Sequence, residues 1–317
     1  MIKNKKIFIT GGAGFISSKL VERLIKNNLI TIYDNFSRDS ISKTKLINNK
    51  NLQIIKGDIL DYNKLVNGMK NNDIVVHAAA IAGIATVIKD PVLTMKVNMI
   101  GTANVLEAAY KNNIKDKIIE FSTSEIFGNY AYMSNEKANA VAGSAGEARW
   151  SYSVSKLAGE HLAAAYYKKY KLPVVSIRPF NIYGPGQTGE GAMMIFIKRA
   201  LKNQNIYIYG EGSQIRTWCY VDDFVDCLIK IIENKKTAGE SFNIGNSKAI
   251  VTIYGLAQNI CRVLNSKSKI IFRKPLSADV ELRIPSVDKI KNQLNFQSKV
   301  HLDEGILKTA KWIKNSI

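Results

Sequence analysis

The sequence has little cysteine, histidine or proline. Three cysteines in 317 residues, Cys219, Cys227 and Cys261, form no paired framework and share no metal-ligand spacing. With only His77, His161 and His301 available, a nitrogen–sulfur metal site is not expected. Six prolines and no Ser/Gly-rich stretch leave no linker, repeat or low-complexity block in view. Long apolar runs are missing too. The segment 74–88 is interrupted by His77 and is too short to span a bilayer. The N-terminal lysines lead into an apolar run that glycines break at once, which reads as a strand rather than a signal peptide. The expected location is the cytoplasm, with no membrane partner. Acidic charge is scarce: 26 Asp and Glu against 45 Lys and Arg give a formal net charge of +19. The lysines are scattered along the chain. Nucleic-acid binding would gather charge on one element and interleave aromatics, so no nucleic-acid partner is expected. A basic surface instead helps to draw in an anionic substrate.

What is present is organised around residues 5–20, KKIFITGGAGFISSKL. An apolar run, a turn with Gly11, Gly12 and Gly14, and a helical pattern opening at Phe15-Ile16 follow in that order. This brings backbone N–H groups and a helix N-terminus to one point, which suits a pyrophosphate. A second apolar run ends at Asp34, 20 positions after Gly14. A carboxylate there can accept both ribose hydroxyls of an adenosine and repels a 2′-phosphate. Asn35, not arginine, comes next, so NAD is favoured over NADP. A third run, 52–55, ends in Gly57-Asp58-Ile59, where a carboxylate past a strand end can meet the adenine edge. A fourth, 74–77, ends in Ala78-Ala79-Ala80, small enough for a cofactor to approach the backbone.

Residues 92–113 carry helical spacing and contain Asn98. A fifth strand, 118–121, runs into Ser122-Thr123-Ser124-Glu125, an unusual hydroxyl and carboxylate cluster for a strand end. Residues 129–148 read as a loop. A helix follows from about 149 to 170, and its YSVSK places Tyr152 and Lys156 four apart on one face. An ammonium beside a phenol favours phenolate, which lowers the tyrosine pKa and makes it a usable base. A sixth strand spans 174–179. Alternating strands and helices imply an α/β, Rossmann-type doubly wound parallel sheet. The expected division is an NAD-binding domain over 1–180 and a smaller substrate-binding lobe over 181–317, part of which returns to the main sheet. The segment 279–283 reads as exposed and polar.

Together, TGGAGFIS at 10–17, Asp34-Asn35, Gly57-Asp58-Ile59, STSEIFG at 122–128, YSVSK at 152–156, RPFNIYGPGQ at 178–187, RTWCYVDD at 216–223 and residues 279–283 resemble the extended short-chain dehydrogenase/reductases. The resemblance is to their NAD-dependent nucleotide-sugar epimerase, dehydratase and decarboxylase group. It covers essentially the whole chain and departs at Ser17 and Phe127. It implies that Gly11, Gly14, Phe15, Ile16, Asp34, Asn35, Asp58, Ile59, Ala78, Ala80, Asn98, Tyr152 and Lys156 hold NAD. It implies that Thr123, Ser124, Glu125, Tyr152 and Lys156 are catalytic. Tyr152 would take the sugar O4 proton while hydride leaves C4 for the cofactor, giving a 4-keto sugar. Arg149, Asn181, Arg216 and Arg283 would bind a nucleotide-diphosphate sugar, and the protein would be a homodimer, as is usual in the group. Arg149-Trp150 most resembles UDP-glucuronate decarboxylases and UDP-apiose/xylose synthase, in which the matching arginine contacts the sugar acid. A decarboxylase or 4-epimerase of a UDP-uronate is therefore favoured. A 4,6-dehydratase or a C4 dehydrogenase releasing the 4-keto sugar is the alternative, and an NAD-sensing protein without activity is disfavoured by the Tyr–Lys pair. Glu125 reads equally as a structural carboxylate capping an N–H, and Arg149 as a surface residue of a first helical turn.

Overall fold

The computed structural model describes residues 2–189, 191–275 and 279–316. Its strands, in chain order, are β1 Lys6–Thr10, β2 Leu29–Asp34, β3 Leu52–Lys56, β4 Ile74–His77, β5 Lys117–Phe121, β6 Tyr130–Ser134, β7 Val174–Pro179 and β8 Ile182–Tyr183. Then come β9 Ile206–Tyr209, β10 Ile215–Thr217, β11 Cys219–Tyr220, β12 Ser241–Ile244, β13 Ile250–Thr252, β14 Ile270–Arg273 and β15 Leu282–Pro285. Seven of these form one parallel sheet in the order β12-β7-β5-β4-β1-β2-β3. β4 and β5 are buried along their whole length, as central strands of parallel sheets are, although they carry His77, Lys117 and Glu120.

Helices Phe15–Leu24, Val221–Glu233 and Asp288–Leu294 cover one face and share a core with Ile7, Ile9, Val76, Ile119 and Phe224. Helices Tyr62–Met69, Gly101–Lys111 and Ser151–Tyr170 cover the other, around Phe8, Val75 and Ile118. The chain moves outward from β1 to β2 and β3, then crosses back to β4 on β1's other side. That reversal leaves a crevice beyond the C-terminal ends of β1 and β4, the place where open α/β sheets bind ligands.

The remaining strands make a smaller unit. A four-stranded sheet runs β13-β10-β15-β6, and β9 pairs with β14. Its own core gathers Met193, Phe196, Ile197, Leu256, Ile260 and Ile306. Two elements cross between the units: β12 closes the edge of the large sheet beside β7, and β6 closes the edge of the small one beside β15.

Three expectations change. Residues 130–134, read as loop, are strand β6. Among the described residues their only strand partner lies some 150 residues away, so no local pattern marks the pairing. The segment 279–283 is exposed only in part: Glu281 is, but Val280 and Arg283 are buried, and β15 is held between β10 and β6. The helix over 92–113 has three parts, Pro91–Met95, a π-helical turn at Lys96–Ile100, and Gly101–Lys111. π turns inside helices are rare and often mark functional positions; this one carries Asn98.

Candidate active site

The glycine turn is shaped by close approach. Gly11 lies at φ +68°, and a Cβ there would stand 2.6 Å from the Ala79 backbone nitrogen, so only glycine fits between β1 and the end of β4. The Gly14 N–H donates to the Gly11 carbonyl at 3.1 Å, and Phe15 and Ile16 open the helix behind it. Asp34 closes the turn from β2. Its carboxylate accepts from the Ala13 N–H at 2.9 Å and the Phe36 N–H at 2.7 Å. Burial pushes its pKa up, and the two N–H donors pull it back only in part. Asn35 is exposed and its side chain accepts from the Ser37 N–H. Asp58 is also exposed and accepts from the Leu60 N–H, while Ile59 is buried beside it. Ala78 and Ala80 are half-buried after β4. Asn98 uses its whole amide internally. Its oxygen accepts from the Ile81 N–H at 2.8 Å, and its nitrogen donates to the Ile81 carbonyl and, at 3.1 Å, to the Ser155 hydroxyl. It therefore ties the loop after β4 to the helix of Tyr152.

Beyond β5, Ser122, Thr123 and Ser124 are all buried. The Thr123 hydroxyl accepts from the Glu125 N–H at 3.2 Å and so caps the short turn Ser124–Phe127. Tyr152 and Lys156 sit one turn apart on helix Ser151–Tyr170. The expected lowering of the phenol's pKa is not found in the polypeptide by itself. Burial raises it well above the usual phenol range, the Glu125 charge adds to this, and a hydrogen bond with Thr123 opposes it. Lys156 does not offset the rise, because its ammonium lies against another carboxylate, 3.8 Å from Glu120 Oε1. Burial also lowers the Lys156 pKa. Glu120 is not among the site residues expected from the sequence, where its signal is a lone acid inside the apolar strand KIIEF.

The arginines converge. Register pairing sets Arg216 of β10 opposite Arg283 of β15. Arg149 donates to Glu125 Oε2 at 2.5 Å, and Arg283 reaches Glu125 Oε1 at 3.5 Å. Burial would push the Glu125 carboxyl up, but Arg283 and Arg149 together outweigh it and hold the pKa low. The Arg149 guanidinium, buried over the Trp150 ring, is thus part of the cluster and not a surface residue. Arg216 donates to the Ile215, Val280 and Glu281 carbonyls and pairs with Asp279 at 3.3 Å. Burial, with Arg283 beside it, lowers its pKa to about 10. Asn181 stands apart, in a left-handed turn at φ +42°, donating to the Thr217 carbonyl. Among the described residues, the Arg149 Nε, the Arg283 Nε and Nη2, and the Lys156 Nζ are buried without a hydrogen-bond partner. Buried donors of this kind are costly, and they point to an anionic or hydroxylic ligand.

With this geometry in place, comparison with known proteins is decisive. The family model of the NAD dependent epimerase/dehydratase family matches residues 7–245. The chain belongs to that family. It is 36% identical over 320 residues to a UDP-N-acetyl-alpha-D-glucosaminuronate decarboxylase of Bacillus cytotoxicus, covering 98% of both chains. A UDP-glucuronic acid 4-epimerase from Bacillus cereus, solved with UDP-glucuronic acid and NAD, superposes with a TM-score of 0.89 at 31% identity, covering 98% of this chain and 100% of that one. A UDP-N-acetylglucosamine 4-epimerase from Methanobrevibacter ruminantium gives a TM-score of 0.91 at 28% identity over the whole of both chains. This chain is an NAD-dependent enzyme of nucleotide sugars, on a Rossmann-like sheet. The NAD fit is physical: the Gly11–Ala79 approach leaves backbone N–H groups bare of side chains, and the Lys156 ammonium, though charge-paired with Glu120, has no hydrogen-bond partner. Among the described residues no helix is long and apolar enough to cross a membrane, and no cluster of His, Cys, Asp or Glu could hold a metal ion.

Proposed function

We propose that the substrate is a UDP-hexuronate, oxidised at C4 and then decarboxylated. One observation carries this reading: among the described residues, Arg149 and Arg283 are buried on one carboxylate, Glu125, with three guanidinium nitrogens left without a hydrogen-bond partner. Substrate anions would satisfy those donors, the sugar carboxylate at Arg149 and the diphosphate at Arg283; guanidinium forks suit both. The Bacillus cytotoxicus relative, a decarboxylase of a UDP-uronate, supports the same choice.

In this reading Gly11, Gly14, Asp34, Asp58 and Lys156 hold NAD, which when bound exchanges hydride with C4. Thr123 and Tyr152 flank the sugar O4, and Tyr152 takes its proton. Arg216, Arg283 and Asn181 hold the diphosphate end. Once C4 is a ketone, the bond from C5 to the carboxylate breaks. Its electron pair passes into the enolate of the 4-ketone, carbon dioxide leaves, and a proton adds at C5. Arg149 orients the carboxylate before that step.

A second reading, 4-epimerisation of the same UDP-uronate, is favoured by the likeness to the Bacillus cereus epimerase. Incubation of the purified protein and NAD with UDP-glucuronate and with UDP-N-acetylglucosaminuronate, read by mass spectrometry and sugar NMR, tests both. Loss of carbon dioxide is the expected result. An unchanged mass with an inverted C4 signal selects epimerisation, and no turnover of either compound removes the uronate reading.

The protein acts as a homodimer in this reading. Val92, Leu93, Met99, Ile100, Tyr110 and Tyr170 are exposed along the segments 91–111 and 151–170, an apolar surface that a second copy would cover. Light scattering at micromolar concentration checks this. Three free cysteines and a nucleotide-sugar substrate fit the cytoplasm.

A further inference from the structure

A polar row crosses the large sheet at one level. Thr10 of β1 is in register with His77 of β4, His77 with Glu120 of β5, Glu120 with Ser176 of β7, and Ser176 with Ser241 of β12. Register partners on adjacent parallel strands point to the same face, here the face covered by helix Ser151–Tyr170. Five polar side chains in line are unusual in the middle of a buried parallel sheet.

Glu120 is the centre of the row. It is 1% exposed, and its Oε1 stands 3.8 Å from the equally buried Lys156 Nζ. Neither its two oxygens nor that ammonium has a close hydrogen-bond partner among the described residues. The pair is therefore held together by charge rather than by a hydrogen bond. Other groups face it from each neighbouring element. The charges of Glu160, one turn beyond Lys156 on the same helix, and of Arg178 of β7, which donates to both Glu160 oxygens, both act on it. His77 is beside it on β4, donating or accepting between Thr10 and Thr102. The far end of the row is open. Glu160, Ser176, Gly239, Glu240 and Ser241 line a surface cleft at the β7–β12 edge.

We propose that Glu120 is the proton reservoir of the Tyr152–Lys156 pair, exchanging its proton with solvent through Ser176 and the cleft at the β7–β12 edge. The proposal rests on the reading that Tyr152 takes the sugar O4 proton. The balance is simple. Tyr152 and Lys156 share no hydrogen bond, so the phenol O–H breaks and its proton passes by way of a water to Lys156, while Lys156 gives one of its own to Glu120. Tyrosine and carboxylate become tyrosinate and carboxylic acid, the ammonium is unchanged, and no net charge is created in the buried site. Neutral Glu120 then leaves the whole Lys156 charge to the tyrosinate. The proton returns by the same route, without passing through the substrate crevice. Glu120 acts through Lys156, so it is a positioning residue in this scheme.

Burial pushes the Glu120 carboxyl up to about 7; Lys156, Arg178 and Ser176 restrain the rise and Glu160 adds to it. Because the carboxylate is the accepting form, kcat should rise with pH through about 7. Glu120→Gln should lower kcat by about tenfold or more and remove that limb, and Glu120→Asp should restore it, one pKa unit being tenfold. Infrared difference spectra of the unliganded protein give a readout independent of turnover. Wild type should show a protonated-carboxyl stretch at pH 6 that is gone by about pH 8, and Glu120→Gln should lack it. Near-UV circular dichroism verifies folding, and Glu120→Asp carries the test if the glutamine variant does not fold. A glutamine variant with the wild-type rate and pH limb, or no titrating band assignable to Glu120, overturns the proposal. Activity retained in Tyr152→Phe would instead overturn the reading of Tyr152, leaving the infrared result standing.

Discussion

Arg149 and Glu125 are joined at 2.5 Å with both side chains largely out of water, at 4% and 16% exposure. The bridge fastens the start of helix Ser151–Tyr170 to the turn after β5, and Arg283 reaches the same carboxylate from β15. Removing Glu125 leaves guanidinium charges buried and uncompensated. Glu125→Ala should therefore cost about 3–5 kcal/mol, measured by urea unfolding. The acid limb gives the sign. The folded-state pKa of Glu125 is depressed, so its stabilisation is complete above the unfolded carboxyl range and is lost as pH falls through the lower folded value. Wild type should lose this contribution below about pH 4.5, the ordinary carboxyl value, and Glu125→Gln should not.

Tyr152→Phe removes a phenol that burial and Glu125 hold protonated. If Tyr152 takes the O4 proton, kcat should fall by about 10²–10⁴, the usual weight of a positioned acid–base group. NAD affinity, followed by calorimetry, should change little. A rate within threefold of wild type would remove Tyr152 from the chemistry.

Gly11→Ala brings a methyl group 2.6 Å from the Ala79 nitrogen at a backbone conformation of φ +68°. Left-handed strain at a non-glycine residue costs about 1–3 kcal/mol, and the collision is with backbone, which cannot swing aside. A fall in Tm with loss of measurable NAD binding is the expected outcome. Gly146→Ala is the control, because it shares the positive φ but meets nothing within 4 Å; it should show strain alone and keep NAD.

His77 is 1% exposed between Thr10 and Thr102, and burial, with Lys156 nearby, drives its pKa down from 6.5 to about 3. The unfolded chain binds a proton below 6.5 that the native state refuses until about 3. Stability should thus be complete above pH 6.5 and fall by about 1.4 kcal/mol per unit below it. His77→Gln should flatten that slope by the same amount in urea midpoints at pH 7, 6 and 5. In solution NMR the His77 ring should stay neutral across that range.

Legibility followed distance along the chain. The turn from Gly11 to Gly14, the Tyr152–Lys156 spacing and Asp34 at a strand end are patterns within one βαβ unit or one helix, where geometry follows from neighbours. Glu125 and Arg149 were visible as residues, but not their pairing, since 24 positions of chain separate them. β6 reads as loop in the sequence because an edge strand with three exposed residues lacks a buried stripe. Arg283 reads as exposed because polar sequence normally is, and its ion pair with Glu125, helped by the Asp279 charge, is what makes its burial tolerable.

By itself the sequence determined the parallel sheet, the glycine turn and the phenol–ammonium face. Each follows from hydrophobic period, backbone sterics or helical spacing over a few residues. Tertiary structure alone decided that Arg216 lies opposite Arg283, that one carboxylate answers two guanidiniums, and that Lys156 meets Glu120. Those contacts depend on which strands become neighbours, and burying their charges is tolerable only when every partner arrives together.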